Sequence, residues 1–226
     1  MSIEITAGYI AAAAADSSIS LKLARVCHAT FSRDATVTAS STETGFNADA
    51  IKTGLTWELW KPSAMPATID LDAGSSVDVD YFAIAAHTLV SSGATIDIQH
   101  AASGAGPWTT IDSQTPVDDK PILFLFETVT DQHYRINITG ATEPAISVAY
   151  FGEALVMERG IFGGYTPIDL AAVTTLKPNV SQTGQFLGRS VVRKGQSSTA
   201  NWANLSSSFV YGDFQTFMEN AKLYPY

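Results

Sequence analysis

The chain has 226 residues, of which 46% are hydrophobic, 10% aromatic and only 15% charged; globular domains average about 25% charged. Its 13 Lys and Arg against 22 Asp and Glu give a formal charge of −9, which argues against electrostatic tracking of a phosphate backbone. A single cysteine, Cys27, excludes an internal disulfide framework and a multi-cysteine zinc site.

The first 30 residues read as an extended or loosely helical segment. The run from Ala7 to Ala15 is apolar but nine residues long, below the ~18 that a membrane span needs. No Lys or Arg precedes it, so the basic region of a secretory signal is missing. Alanine favours helix, but no amphipathic pattern surrounds this stretch. The expectation is a chain made in a cytoplasm that stays soluble or joins an assembly. Cys27, between Val26 and His28, reads as a small buried hydrophobe, with a reactive thiol as the alternative.

Period-two alternation then dominates. Ile69 and Leu71 alternate with Thr68, Asp70 and Asp72; Val77 and Val79 with Asp78 and Asp80; Ile96 and Ile98 with Asp97 and Gln99; Tyr134, Ile136 and Ile138 with Arg135 and Asn137. Such runs are strands with one packed and one wet face. Residues 122–126 and 146–151 are continuously bulky and predict strands buried on both sides. Turn chemistry separates them at residues 72–76, 91–93, 103–107, 116–121 and 140–144. Many short strands with regular turns predict a mainly β, antiparallel sandwich or jelly roll.

Beyond residue 155 the texture changes: glycines gather at Gly160, Gly163 and Gly164, and Pro167 follows. Phe214, Phe217, Met218 and Ala221 fall at i, i+3, i+4 and i+7, one apolar helical stripe, with Asp213 placed to cap it and Pro225 to end it. The reading is three parts: residues 1–30, an N-terminal extended or assembly segment; 31–155, the sandwich; and 156–226, a smaller mixed docking segment with one helix.

Two resemblances add to this. Ala39-Ser40-Ser41, then Phe46-Asn47-Ala48-Asp49-Ala50-Ile51, then Trp57, then Ala67-Thr68-Ile69-Asp70-Leu71-Asp72 follow one another in order. They are joined by Ile96-Asp97-Ile98-Gln99, Gly106-Pro107-Trp108-Thr109-Thr110-Ile111, His133-Tyr134-Arg135-Ile136-Asn137-Ile138 and residues 146–153. This order resembles a discoidin-like (coagulation factor 5/8 type C, galactose-binding-like) β-sandwich over about half the chain. The resemblance implies a structural ion pair for Arg135 and a loop that holds calcium in some members. Asp49 and Thr53 are the residues nearest that loop, and no other cofactor is implied. The glycine that often follows the "dL" pair is displaced here to Asp72-Ala73-Gly74, and the disulfide of extracellular members is impossible. Gly188-Arg189-Ser190 through Gly195, then Trp202 to Phe209, then residues 211–226 resemble the C-terminal segment of tail-tip proteins from long-tailed bacteriophages.

The search for bond-making chemistry finds no nucleophile elbow, phosphate loop or zinc-protease helix. Gly160-Ile161-Phe162-Gly163-Gly164 lacks a phosphate-reaching Lys and reads as a connector. His28, His87, His100 and His133 are scattered. Asp70/Asp72 and Asp78/Asp80 share strand faces and read as solvated rather than as a glycosidase pair. Saccharide recognition needs aromatic platforms on loops; Trp57 and Trp60, with Glu58 and Lys61, are the candidates, and the bland alternative makes Trp57 a core tryptophan with Trp60 packed beside it.

The expectation is therefore a non-enzyme: a structural component of a phage or phage-like tail, at the tip or baseplate, made in the host cytoplasm and residing in the virion. It would act through interfaces with copies of itself and other tail proteins, with Phe209, Phe214, Phe217, Tyr224 and Tyr226 at those interfaces or in a core they share. The alternative is a carbohydrate-binding module for a host-surface glycan. Neither nucleic acid nor membrane insertion is expected.

Overall fold

The computed structural model describes residues 2–15, 21–167 and 170–223. In chain order the strands are β1 (Ser2–Ile5), β2 (Arg25–Thr30), β3 (Thr36–Ala39), β4 (Ala67–His87), β5 (Thr95–Ala101), β6 (Thr109–Gln114), β7 (Ile122–Thr139), β8 (Ile146–Val156), β9 (Ala172–Val180) and β10 (Phe186–Gln196). The helices are α1 (Ala7–Ala15), α2 (Ser207–Tyr211) and α3 (Asp213–Leu223), and a 3₁₀ turn spans Ala48–Lys52.

Two strands organise the sandwich. β4 has 21 residues and β7 has 18, against a typical ~5–6, and each serves both layers. The register between them shifts between Asp72 and Val77 and again between Val79 and Tyr81; bulges of this kind bend a strand. Before the bends, β4 pairs with β3 at Ile69 and Leu71 and with β7 at Ile136 and Tyr134; β7 continues to β5, and β5 to β6. Beyond the bends, β4 pairs with β8 and with the first half of β7, β8 with β2, and β7 with β1 in parallel. The two alternating runs expected at 68–72 and 77–80 are thus one strand that changes layers.

The alternation sets the core. Ile69, Leu71, Ile96, Ile98, Ile136 and Ile138 come from the first layer, and Phe82, Ile84, Phe124, Phe126, Ala149 and Phe151 from the second; all share one cluster and none is more than 1% exposed. Phe151 is the hub of the rings, 4.5 Å from Phe82 and 5.5 Å from Tyr134 between centroids. Each such side chain contributes about 1.5–3 kcal/mol by leaving water. Tyr134 also fastens the bends: its hydroxyl lies 2.9 Å from the carbonyl oxygens of Val77 and Val129, and accepts from Asp131 N at 3.1 Å.

The outer face of the second layer is apolar as well. Tyr81, Leu125, Val148, Tyr150 and Ala154 gather there with Tyr9, the buried residue of α1. The boundary expected at residue 30 therefore does not fall there: β1, α1 and β2 belong to the sandwich body. A chain of alanines with one tyrosine has little moment to read in sequence, and the docking of Tyr9 settles the helix.

The C-terminal segment differs. β9 and β10 pair only with each other among the described residues, in an antiparallel ribbon in which every residue of β9 is exposed. α2 is capped by Ser206, whose hydroxyl accepts from Phe209 N at 3.3 Å. Asp213 is the first residue of α3, not a residue before it. α3 returns to the body at the β2 edge, where Phe217 meets His28 edge-on at 5.2 Å and the Asn220 amide lies 3.2 Å from the His28 ring.

Candidate functional site

At one end of the sandwich, the loop between β3 and β4 folds over itself. Asn47 caps the 3₁₀ turn, its side-chain oxygen accepting from Asp49 N at 3.0 Å. Asn47 N in turn donates to Leu59 O, and Glu43 N to Lys61 O, so residues 43–47 lie along 59–61. The loop is anchored by Trp60. Its backbone exchanges hydrogen bonds with Ile146 at 2.8 and 2.9 Å, and its indole N–H faces Ser41 O at 3.2 Å and Thr42 Oγ1 at 3.3 Å. The side chain is fully buried.

That anchoring decides which tryptophan meets solvent. Trp57 is 74% exposed and Trp60 is 0%. Trp60 is therefore withdrawn from the saccharide-contacting set: it is the core tryptophan, and Trp57, which the bland alternative placed in the core, is at the surface. Trp57 stands at the rim of a concavity of ≈ 300 Å³ in which Asn47, Asp49, Thr53 and Glu58 supply polar atoms and Phe46 and Leu59 apolar ones. Lys61 does not line it and is ion-paired to Glu43 at 2.7 Å, which holds its ammonium above the ordinary lysine range. Four of the sequence candidates, Asp49, Thr53, Trp57 and Glu58, are thus brought together. Asn47 and Phe46 went unsingled, because only the turn geometry turns them toward the hollow.

The cation reading of Asp49 and Thr53 fits this geometry poorly. The Asp49 carboxylate is 2.8 Å from Lys52 Nζ, and the Thr53 hydroxyl donates to Ala50 O at 3.1 Å. Among the described residues no group of three or more His, Cys, Asp and Glu is placed to hold a metal.

Among the described residues, Arg135 does not make the ion pair that the resemblance implied. Its guanidinium lies over the Trp108 ring at 4.0 Å, and Nε donates to Gln99 Oε1 at 2.6 Å. The role is structural with an aromatic partner.

The carboxylates of β4 split. Asp72 and Asp78 reach solvent; Asp72 accepts from Gly74 N and from Gln132, which holds it below the usual carboxylate range. Asp80 corrects the expectation of a solvated face. It is buried, accepts from Ala154 N at 2.7 Å and lies 3.6 Å from Arg25, and burial pushes its carboxyl up to about 6. Asp70 is half-buried with Oδ1 unpartnered, and burial raises it too. β4 changes layers near these residues, so strict alternation misplaces Asp80.

His87 is buried with its ring against Lys120 O at 2.9 Å and its pKa lowered by burial. His100 pairs with Asp131 at 2.5 Å. Burial pushes the Cys27 thiol up to about 12, an inert rather than a reactive thiol.

Of the aromatic residues expected at interfaces, Phe209, Phe214 and Phe217 are spent partly inside the chain. Their rings form a row at 6.2 and 5.4 Å, ending on His28. Tyr224 and Tyr226 lie outside the described residues. Large side chains that this segment does expose include Leu170 and Tyr211 at 77% and Leu223 at 71%, with Phe186, Leu187 and Val192 on the ribbon at 64–66%.

The fold so described is an antiparallel β-sandwich carrying a C-terminal segment. No family model and no curated protein matches the sequence. Among solved structures, the chain is similar to chitosan-binding module 1 of a chitosanase/glucanase from Paenibacillus sp. IK-5, at 21% identity and a TM-score of 0.48, over 56% of this chain and 99% of that one. It is similar to a CBM32 module from Clostridium perfringens, solved with GalNAc-β-1,3-galactose, at 13% identity and a TM-score of 0.48, over 55% and 99%. A GH29 fucosidase of Ruminococcus gnavus, solved with fucose, matches at 16% identity and a TM-score of 0.49, over 56% of this chain and 27% of the fucosidase.

Proposed function

We propose that this chain is a structural component of a bacteriophage or phage-like tail, at the tip or baseplate, and that it acts through protein–protein interfaces rather than by catalysis. The observation that carries the interface reading is the β9–β10 ribbon. A two-stranded ribbon is marginal in water by itself. This one exposes Val173, Leu176, Val180, Phe186, Val191 and Val192 at 40–66% each, with no third strand among the described residues. Leu176, Val180, Phe186 and Val191 share one face of the ribbon, and exposed apolar surface of this kind marks an interaction site. The tail context rests on the resemblance of residues 188–226 to tail-tip proteins.

The test is incorporation. An epitope-tagged full chain should be found by mass spectrometry in purified tails. A variant with residues 172–196 replaced by a Gly-Ser linker should keep the unfolding transition of the sandwich and be missing from the particles. Incorporation of that variant at the normal level would refute the reading.

A second reading is favoured by Trp57. A largely exposed indole at the rim of a hollow lined by amide, hydroxyl and carboxylate groups is a stacking platform for a sugar ring with polar partners beside it. A glycan array with the full chain and with Trp57→Ala decides it: a saccharide retained by the first and lost by the second supports the reading, and no saccharide retained by the first refutes it.

A further inference from the structure

Charge is not spread evenly along this chain. Residues 170–212, which include the whole ribbon, contain Lys177, Arg189, Arg193 and Lys194 and no Asp or Glu. The other nine Lys and Arg therefore face all 22 Asp and Glu, and the rest of the chain carries −13. The opposite extreme is residues 62–119, which build β4, β5 and β6: eight Asp and no Lys or Arg. Some of these acids are spent internally, Asp80 on Arg25 and Asp118 on Lys120. Asp72 and Asp97 alternate with the buried Leu71, Ile96 and Ile98 and so stand on the outer face of the first layer; they accept hydrogen bonds there, Asp72 from Gln132 and Asp97 from Ser113 and Asn137, but neither is ion-paired to a Lys or Arg among the described residues. Asp112 lies at the same end on β6, an edge strand whose one partner among the described residues is β5; it stands opposite Ile98, on the other side of that strand pair from Asp97. Arg135 shares the outer face but is laid over Trp108.

The ribbon has the complementary character. Cross-strand partners share a face. Leu176 opposite Val191, and Val180 opposite Phe186, make an apolar stripe, and Arg189 opposite Pro178 and Lys194 opposite Thr174 stand on the same side. All four cations of the ribbon are exposed.

We infer that the ribbon of one copy docks on the acidic β5–β6 end of the sandwich of a second copy, in a head-to-tail contact. The inference deepens the interface reading above and rests on it, naming the partner as this same chain. Opposite potentials select the partner and orient it, and the apolar stripe supplies the buried area. Because donor and acceptor surfaces differ, the contact is heterologous: it generates a closed ring where the rotation closes and a filament where it does not.

The experiment is sedimentation of the purified full chain across a concentration series, at about 50 mM and about 500 mM NaCl. The wild type should form oligomers larger than a dimer at low salt and weaken by about tenfold or more at high salt. The quadruple variant K177E/R189E/R193E/K194E should be monomeric, as should D97K/D112K, and an equimolar mixture of the two should restore a heterodimer. Circular dichroism and the unfolding midpoint check each variant's fold. The salt dependence of the wild type stands as an independent readout if D97K/D112K fails to fold. A monomeric wild type, or a ribbon variant that assembles unchanged, overturns the inference. A monomeric wild type that nevertheless enters particles through its ribbon overturns self-docking alone and leaves the structural role standing.

Discussion

Replacing Gly152 with alanine places a methyl group where none fits. An ideal Cβ at Gly152 would lie 1.8 Å from the carbonyl oxygen of Ala29, 2.8 Å from its carbonyl carbon and 2.9 Å from Thr30 Cα. All three are backbone atoms, so no side chain can swing away. A carbon–oxygen contact settles near 3.3–3.6 Å, so β2 and β8 must part by about 1.5 Å. That movement reaches two hydrogen bonds that pin β2: Tyr81 Oη to Ala29 O at 2.9 Å, and Thr30 Oγ1 to Phe151 O at 2.7 Å. Each is worth about 1 kcal/mol net, and the strain of overpacking adds about 1–3 kcal/mol. The expected loss is about 3–5 kcal/mol, which lowers the melting temperature by about 10 °C in a protein of this size. Urea unfolding, followed by circular dichroism, measures it. Gly8→Ala is the control: its Cβ would meet nothing within 4 Å, and alanine in a helix gains up to about 1 kcal/mol over glycine. A Gly152→Ala variant within about 1 kcal/mol of wild type would show that β2 is not held where the structure places it.

The two loop tryptophans should separate cleanly. Trp60→Ala should cost about 3–5 kcal/mol and Trp57→Ala less than about 0.5 kcal/mol; equal losses in urea unfolding would contradict their opposite exposures. Asp80 makes a pH signature. Its carboxyl is raised from 3.8 to about 6, so its contribution to stability is full below pH 4 and falls by up to about 3 kcal/mol as pH rises through 6. Stability measured at half-unit steps should show that decline, Asp80→Asn should remove it, and an unchanged slope in the variant would refute the assignment. Cys27, with its thiol held up to about 12, has about one thiolate in 10,000 at pH 8. Intact-mass analysis should find it unalkylated by iodoacetamide in native protein and fully alkylated in urea; rapid native labelling would count against its burial.

Much of the sandwich was legible because its strands obey simple alternation where each belongs to one layer. Ile69, Leu71, Ile96, Ile98, Ile136 and Ile138 are all in the core, as their period of two required. The pattern failed where a strand serves two layers: nothing in Val77-Asp78-Val79-Asp80 reveals that β4 bends there and carries Asp80 into a buried pair with Arg25, 55 residues earlier. The candidate site was half legible for a similar reason. Composition marks a loop with two tryptophans, but which one turns inward is fixed by the backbone pairing of Trp60 with Ile146, a long-range contact that no local spacing encodes. The ribbon is only faintly legible in the sequence, at Val191-Val192, because its apolar residues sit among Thr, Asn, Gly and Pro without a regular period.

The sharing of β4 and β7 between layers has a mechanical consequence. In a sandwich whose layers meet only through side chains, tension applied to one sheet is resisted by packing alone. Here it is carried through unbroken backbone around two covalent corners, with the Tyr134 hydroxyl acting as a rivet at the bends. A pull on one sheet thus strains the other before either can peel away.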